Sequence, residues 1–329
     1  MNADVVRDWV IEQGLLGPEA SAVPLAGGVS CEVFSVTDGR RSVVVKHAGP
    51  TLRVAAVWHA DPRRVVHEGE VLEAVSALTP DAVPTVLAID GSGHMLAMSQ
   101  APPSWVPWKH ELLAERADPD VARQLGRVLA TWHRSTWGDR SFDHLDDYEL
   151  FEALRLEPYF VATQAADPRY EQPLAAVTER LRQRRLCLVH GDFSPKNVLI
   201  GDGRAWVLDL EVAHIGDPQF DLAFLLSHLV LKAIHHPNSA SAYRHCATAF
   251  LSAYRHDAPT AGAVDGADLC LLLGAVLAAR VHGKSPVEYL DDAGRQRSVL
   301  VADALLFDGI EQLDGVWNLL ERRTPSTPR

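Results

Sequence analysis

The sequence predicts an α+β protein of two lobes, with a strand-rich N-terminal lobe over residues 1–100 and a mostly helical C-terminal lobe over residues 101–329. Three observations lead to this prediction. Short β-branched runs separated by Gly- and Asp-rich turns fill most of the first hundred residues. The stretch "APPSWVP" then interrupts the pattern, and beyond it apolar residues recur at helical spacing.

The N-terminal lobe is expected to be an antiparallel sheet with one important helix. After an amphipathic first helix, "MNADVVRDWVIEQ", the segment "PLAGGVSCEVFSV" predicts a strand, a glycine turn and a second strand. The run "VVVKH" predicts a third strand. Asp61 and Pro62 form a good N-cap and first-turn pair for a helix that ends near Leu78. Two further strands are predicted in "AVPTVLAID" and "HMLAMSQ".

The C-terminal lobe contains several segments with a helical pattern and a few short strands. "PDVARQLGRVLATWHRSTW" and the segment from about Gln172 to Arg185 predict helices. "RAWVLDLEVAHI" alternates like a strand. The segments "DPQFDLAFLLSHLVLKAI" and "ADLCLLLGAVLAARVHG" are apolar enough to form the centre of this lobe.

Composition excludes several classes of partner. The formal net charge is −12, so the surface is expected to repel phosphate backbones and nucleic acid is not an expected partner. No apolar run approaches the ~20 residues of a membrane span, and the start does not resemble a signal peptide. Four scattered cysteines fit reduced thiols in the cytoplasm, and the histidines lack the spacing of a zinc site. The oligomeric state is not indicated.

A polar loop between two apolar runs is the clearest candidate site. In "LCLVHGDFSPKNVLI", His190, Asp192 and Asn197 stand in the spacing H-x-D-x-x-x-x-N. Asp209 ends the later strand-like run "WVLD". An Asp accepts a proton from an attacking hydroxyl, and an Asn with a second Asp offers the oxygen ligands that Mg²⁺ prefers. The pattern indicates phosphoryl transfer. The alternative, an Asx turn between strands, explains Asp192 or Asn197 singly but leaves Asp209 unexplained.

Phosphoryl transfer also needs a cation for the nucleotide phosphates, and Lys46 ends the apolar strand "VVVK". The following helix carries three glutamates. Glu68 shares a face with apolar residues, whereas Glu70 and Glu73 fall on the other side. Because an unpaired carboxylate in an apolar stripe is costly, Glu68 is expected to pair with Lys46. The alternative is that Glu68 is peripheral and reaches solvent.

Two adjacent glycines, Gly27 and Gly28, lie one hairpin before Lys46. Glycine lets the backbone approach phosphates closely, although a glycine pair alone also makes ordinary turns. Their position before Lys46 indicates a flap over the phosphates.

In order along the chain, Gly27-Gly28, Lys46, Glu68, "HGDFSPKN", "VLDLE" and "GDPQFDLAF" resemble the aminoglycoside phosphotransferase and choline kinase family. The resemblance covers about residues 25–231. It implies the two-lobed protein-kinase-like fold, and "HGD" in place of "HRD" is typical of the branch that phosphorylates small molecules. The implied activity is transfer of the γ-phosphate of ATP, or GTP, to a hydroxyl group with the help of Mg²⁺.

The resemblance also implies roles for the residues of the site. Asp192 corresponds to the catalytic base. Asn197 and Asp209 correspond to the Mg²⁺ ligands. Lys46 and Glu68 correspond to the pair that holds the phosphates.

Further residues are implied to bind adenine or to support the loop. Adenine would lie between the lobes against the backbone of Met98, Ser99 and Ala101. His190 would brace the loop, and Asp221 would bond the backbone of the loop from the start of the helix "DLAFLLSHL".

Two positions depart from the pattern, and a third is ambiguous. Lys196 stands where many members have Gly; it would contact the γ-phosphate or face solvent, and solvent is narrowly preferred. Glu211 follows the metal aspartate in "DLE" and is expected to act behind it. His133, in "ATWHRSTW", is expected to be a packed structural histidine.

The acceptor is the least defined part of the prediction. Acidic residues in "DHLDDYELFEALRLE" and "VEYLDDAG" would suit a cationic substrate, but solvated helix faces are the commoner explanation of such runs. Several tryptophans would line a sugar or choline site or pack between lobes. An aminoglycoside or related antibiotic is therefore the first hypothesis, followed by a primary metabolite such as an amino alcohol, a sugar or a methylthioribose-like compound. A non-catalytic nucleotide-binding module is the alternative from another class.

Overall fold

The structure is a computed structural model that describes residues 1–25, 31–49, 61–258 and 264–321. The predicted α+β, two-lobed fold is confirmed. In the N-terminal part an antiparallel sheet has the strand order β1-β2-β3-β5-β4. These strands are β1 (Ser21–Pro24), β2 (Glu32–Thr37), β3 (Ser42–His47), β4 (Val86–Asp90) and β5 (Met95–Ser99).

Two helices cover the N-terminal sheet. Helix α1 (Ala3–Glu12) begins at Asn2, whose side chain accepts a hydrogen bond from the backbone of Asp4 at 3.1 Å. Its Val6 and Trp9 pack with the apolar residues of the sheet. Helix α2 (Arg64–Leu78) lies between β3 and β4 in the chain and joins a core that continues into the C-terminal part.

The predicted linker is more regular than its sequence suggests. Its last two residues form strand β6 (Val106–Pro107), which pairs with β8 (Val198–Gly201) of the C-terminal part. Trp105, just before it, packs edge-to-face on Trp206 with ring centroids 5.3 Å apart. The division of the chain at residue 100 stays a prediction.

Helices make up most of the C-terminal part. Their bounds are α3 (Trp108–Leu113), α4 (Pro119–Thr136), α5 (Tyr148–Phe151), a π-helix (Glu152–Val161), α6 (Ala162–Ala166), α7 (Glu171–Gln183), α8 (Gln219–His235), α9 (Ala240–Asp257), α10 (Gly266–His282), α11 (Asp292–Leu306) and α12 (Leu313–Glu321). The two segments predicted as central helices are α8 and α10, which are buried over most of their lengths.

Short strands carry the polar loop. Strand β7 (Cys187–Val189) pairs with β10 (His214–Gly216), and β8 pairs with β9 (Arg204–Val207). The segment predicted as one alternating strand is therefore split into β9 and β10. The break falls at Asp209, whose φ of 70° does not fit a strand.

All four cysteines are free and buried, as expected for small apolar side chains. Within the described ranges, no helix combines the length and apolar character that crossing a membrane requires.

Candidate active site

The polar loop lies between β7 and β8, and its backbone is anchored by Asp221 in the first turn of α8. The carboxylate of Asp221 accepts hydrogen bonds from the backbone of His190 at 2.7 Å and of Gly191 at 2.9 Å. These are the backbone contacts expected for Asp221. His133, which is fully buried, lies 3.3 Å from the same carboxylate and 2.8 Å from the hydroxyl of Tyr254, so it has the packed position predicted for it.

Two residues give the loop its shape. Gly191 has a φ of 74°, and a Cβ added there would lie 2.5 Å from the carbonyl oxygen of Val212. Only glycine fits this position without a shift of the backbone. His190 places Nε2 3.0 Å from the carbonyl of Leu208, and its Nδ1 accepts the backbone N–H of Asp192 at 3.1 Å. The imidazole therefore ties the loop to the chain segment that follows β9.

Asp192 is buried and is surrounded by donors. Its Oδ2 lies 2.8 Å from Arg155 Nη2, 2.9 Å from Lys196 Nζ and 2.9 Å from Asn197 Nδ2. Burial alone would raise the pKa of Asp192, but the charges of Arg155 and Lys196 outweigh it and lower the pKa below its ordinary value. Asp192 is therefore a carboxylate at neutral pH, with its Oδ1 not contacted by any described donor.

Arg155 is a site residue that the sequence analysis missed. It lies on the π-helix, donates from Nε to the carbonyl of Gly191 at 2.9 Å and pairs with Asp192. Its own sequence neighbours, Leu154 and Leu156, are buried. A single arginine among apolar residues in "ALRLEPYF" is the signal that predicts a buried partner for it.

Lys196 is exposed, as expected, but it also makes a contact that the sequence did not predict. Its side chain is 52% exposed, yet its ammonium group reaches Asp192 because four residues of a tight turn bring the two together. Lys196 thus projects from the loop with its charge beside the carboxylate.

Lys46 and Glu68 form the pair that was expected from the helical wheel. Lys46 Nζ lies 2.8 Å from Glu68 Oε1, 2.6 Å from Oε2, and 2.6 Å from Asp209 Oδ1. Glu68 is 1% exposed, so the alternative in which it reaches solvent is wrong. Burial opposes the charged form of Lys46, but the two carboxylates more than offset it and raise the pKa of Lys46 well above its ordinary value.

Asn197 and Asp209 have oxygens of the kind that a Mg²⁺ site requires. Asn197 donates from Nδ2 to the carbonyl and the carboxylate of Asp192, which leaves its amide oxygen as the free acceptor. The Asp209 carboxylate is a quarter exposed, and one oxygen is taken by Lys46. The backbone N–H of Leu208 also donates to the carbonyl of Asn197 at 2.8 Å, which keeps the two residues together.

The donor set is typical of a metal shared with a phosphate group. Within the described ranges, no three His, Cys, Asp or Glu side chains are grouped for a metal ion. Mg²⁺ commonly uses one or two protein ligands and completes its octahedron with phosphate oxygens and water. Asn197 and Asp209 fit such an ion.

Glu211 is buried two residues after Asp209. Its carboxylate lies 3.5 Å from Arg64 Nε and 3.9 Å from the thiol of Cys31. His67 Nε2 lies 2.8 Å from the carbonyl oxygen of Ala213. Glu211 and its neighbours thus connect helix α2 to the segment after Asp209.

The predicted adenine contacts lie at the end of β5. Met98 pairs with β3 and with β4, so its backbone is engaged on both sides of the strand. Ser99 donates its backbone N–H to the carbonyl of Thr85 at 2.9 Å. Ala101 lies beyond the strand and is the best placed of the three to offer free backbone groups. Gly27 and Gly28 lie outside the described residues.

Most acidic residues that were considered for a cationic acceptor have partners within the chain. Asp147 and Asp291 cap α5 and α11 by accepting backbone N–H groups. The surface ion pairs are Asp143–Arg140, Asp146–Arg185, Glu152–Arg182, Glu288–Lys109 and Asp292–Arg295. These contacts favour the alternative in which the acidic runs are surface features of helices.

The tryptophans considered for a sugar or choline site are mainly packing residues. Trp105, Trp108 and Trp317 are each less than one-tenth exposed and belong to the core. Trp137 is partly buried. Their burial favours the alternative in which they pack between elements.

The sheet-based N-terminal part, the helical C-terminal part and the polar loop define a protein of the protein-kinase-like fold. The chain belongs to the phosphotransferase enzyme family, whose model matches residues 21–258.

Three known proteins illustrate the similarity. A methylthioribose kinase from Yersinia pseudotuberculosis serotype O:3 (strain YPIII) is 25% identical over 60% of this chain, and the match spans 56% of its own length. An amicoumacin kinase, solved with AMP-PNP, Ca²⁺ and Ami, is 17% identical with a TM-score of 0.55 over 93% of this chain and 94% of that one. An aminoglycoside phosphotransferase from Alicyclobacillus acidocaldarius is 14% identical with a TM-score of 0.55 over 98% of both chains. The two solved structures support the fold.

Proposed function

We propose that this protein is an ATP- and Mg²⁺-dependent kinase that transfers the γ-phosphate to a hydroxyl group of a small molecule. The observation that carries the proposal is the convergence of Asp192, Asn197, Asp209 and Lys46 from distant parts of the chain. Each of them has a use in phosphoryl transfer, and a structural loop needs no such set of buried charges.

Asp192 acts as the base that receives the proton of the acceptor hydroxyl. Its lowered pKa keeps it ionised at neutral pH, which is the form that accepts a proton. Arg155, Lys196 and Asn197 hold Oδ2, so Oδ1 is the oxygen left to face the hydroxyl. Fixing the carboxylate in this way positions the base before the acceptor arrives.

Lys46 binds the nucleotide phosphates, and Glu68 keeps its ammonium group in place. Lys196 lies beside the base, where its positive charge stabilises the negative charge on the phosphoryl group during transfer. Asn197 and Asp209 would hold Mg²⁺, which neutralises phosphate charge when it is bound. Adenine contacts the chain near Met98, Ser99 and Ala101. GTP is the alternative donor.

The acceptor is a small hydroxylated molecule, and two candidates follow from the family. An aminoglycoside-like antibiotic would make the protein a resistance enzyme, but it needs carboxylates free to bind amines, and most of the acidic residues considered for it are paired or cap helices. A primary metabolite is the alternative, favoured by the sequence similarity to methylthioribose kinases. A nucleotide-binding module without catalysis is disfavoured because it would not require Asp192.

A screen of hydroxylated compounds for acceptor-dependent ADP release tests this proposal. The panel contains antibiotics, amino alcohols, sugars and methylthioribose, each with ATP and Mg²⁺. We expect at least one compound to raise ADP release, with phosphate transferred to it as seen by mass spectrometry. Tight ATP binding with no transfer to any compound or to water would instead support the regulatory module.

A further inference from the structure

A buried lysine in the C-terminal part forms no ion pair with any described residue. Lys232, on α8, is fully buried, and its ammonium group makes one long contact of 3.5 Å with the carbonyl of His228. It also lies 5.4 Å from the centre of the Tyr289 ring. Among the described residues no carboxylate lies within ion-pair distance of it, and the residues outside those ranges contain no Asp or Glu.

A second cation lies close to this lysine. Arg280, on α10, is 8% exposed and donates to the hydroxyl of Tyr159 at 3.2 Å and to the hydroxyl of Ser285 at 2.9 Å. Its Nε–H is buried and finds no acceptor among the described residues, and the hydroxyl of Tyr289 is likewise buried without a described partner. Like Lys232, Arg280 has no carboxylate partner within the described part of the chain. We call Lys232, Arg280 and Tyr289 the cationic cluster.

The π-helix connects the cationic cluster to the polar loop. Tyr159, which binds Arg280, lies one turn after Arg155 on the π-helix, and Arg155 pairs with Asp192. Burial would raise the pKa of Tyr159, but the charges of Arg280 and Arg155 outweigh it and lower the pKa. The charges of Lys232, Arg280 and Lys196 add to burial in lowering the pKa of His228. Arg280 and Lys196 thus act electrostatically both on Tyr159, next to the Arg155–Asp192 pair, and on His228, next to Lys232.

An uncompensated buried cation is costly for a fold. Burial, together with the charges of Lys109 and Arg280, outweighs the opposing charge of Glu288 and lowers the pKa of Lys232 to about 7. A replacement by an apolar residue would remove this cost, so the fold alone does not explain the lysine. A ligand that brings a negative charge explains both the missing partner and the position.

Resting on the proposed kinase function, we propose that the acceptor is a hydroxy acid whose carboxylate binds Lys232 and Arg280 while its hydroxyl faces Asp192. The incompletely satisfied donors are one ammonium group, one guanidinium N–H and the Tyr289 hydroxyl, and the lone pairs of a single carboxylate are sufficient to accept from all three. This assignment replaces the cationic substrate expected from the acidic runs.

The test compares matched acceptors in the ADP-release assay with ATP and Mg²⁺. One set is glycerate, glycerol, serinol and glycerol phosphate, and the other is gluconate, glucose and glucosamine. The enzymes are the wild type, Lys232→Met and Lys284→Met, which removes a charge from an exposed lysine outside the cationic cluster. Asp192→Asn reports the background.

We expect an acid to stimulate ADP release about 10-fold more than its neutral partner, because an ion pair with a desolvated cation discriminates strongly. Lys232→Met should raise KM for the acid about 10-fold and abolish the preference, since it removes binding to the acceptor. Lys284→Met should keep the preference.

Several results would overturn the inference while the kinase function stands. They are equal or better use of the neutral, amine or phosphate compounds, an acid preference that survives Lys232→Met, or no acid exceeding its partner although Asp192-dependent hydrolysis of ATP by water is intact. If ATP neither binds nor turns over in an Asp192-dependent way, the proposed function fails and this inference falls with it.

Discussion

Arg155 Nη2 lies 2.8 Å from Asp192 Oδ2, and this ion pair joins the π-helix to the polar loop. Arg155 also donates to the carbonyl of Gly191, so one guanidinium fixes both the carboxylate and the backbone beside it. The side chains are 12% and 3% exposed, which means that solvent screens the pair weakly. In the proposed mechanism Arg155 would therefore position the base without contacting the substrate.

Replacing Arg155 should slow phosphoryl transfer. In Arg155→Met the Asp192 carboxylate loses one of its three donors and gains mobility, so we expect kcat to fall about 10- to 100-fold. The KM for ATP should stay nearly unchanged, and Arg155→Lys should recover part of the rate. Steady-state kinetics measure both constants. Arg182→Met, which breaks a surface pair with Glu152 of the same π-helix, is the control. A normal kcat for Arg155→Met would remove Arg155 from the site.

Substitutions at two glycines with similar φ distinguish the cost of a positive φ from the cost of a steric clash. Gly191 and Gly203 have φ of 74° and 69°, but only at Gly191 would a Cβ meet the backbone, at 2.5 Å from the Val212 carbonyl oxygen. We expect Gly203→Ala to lower the free energy of unfolding by about 1 kcal/mol and to keep activity. Gly191→Ala should cost more than about 2 kcal/mol and reduce kcat strongly. Urea unfolding and kinetics provide the comparison. Equal effects of the two substitutions would show that the close approach is unimportant.

Glu68→Ala should weaken phosphate binding, because Lys46 would keep only one of its two carboxylate partners, Asp209. We expect a rise in the KM for ATP and a lower kcat, because the ammonium group is no longer fixed between the two carboxylates. Glu70→Ala alters an exposed glutamate of the same helix and should have no effect. An unchanged kcat and KM for Glu68→Ala would exclude Glu68 from the site.

Lys232→Met should stabilise the protein most at low pH. The pKa of Lys232 is lowered from its ordinary value of 10.5 to about 7, so between these values the unfolded chain binds more protons than the folded chain. The free energy of unfolding of the wild type therefore rises with pH between about 7 and 10.5. Below pH 7 the full cost of burying the charged lysine applies. We expect Lys232→Met to raise the free energy of unfolding by about 1–4 kcal/mol at pH 6, with a gain that shrinks towards pH 10.

Urea unfolding of wild type and variant across this pH range measures the difference. Lys284→Met, on an exposed lysine, should show no pH-dependent gain. A gain for Lys232→Met that did not depend on pH would mean that Lys232 is not a buried cation.

The sequence predicted the elements and residues that local rules determine. The Glu68–Lys46 pair followed from a helical wheel, because a carboxylate on an apolar face needs a partner. The position of Asp221 at a helix start indicated a cap for the neighbouring backbone. Strand β3 and helices α8 and α10 followed from periodicity.

What the sequence could not predict depends on contacts between distant segments. Arg155 belongs to the site only because the π-helix packs against the polar loop. The sequence around Asp192 does not predict this contact. Lys196 is exposed, as loop lysines usually are, but its contact with Asp192 depends on the tight turn of the loop and was not predicted. That Lys232 has no ion-pair partner among the described residues becomes apparent only from the positions of the described carboxylates.

The Asp192→Asn variant is the sharpest test of the proposed role of Asp192 as the base. Asparagine keeps the size of the side chain but cannot accept the proton of a hydroxyl, so chemistry should be lost while the nucleotide site stays intact. The measurement is ADP release with a substrate from the screen, together with ATP binding by calorimetry on the same preparation. We expect phosphate transfer to fall by about 1,000-fold or more, with ATP affinity within a few-fold of the wild type. Near-normal turnover by Asp192→Asn would contradict this role.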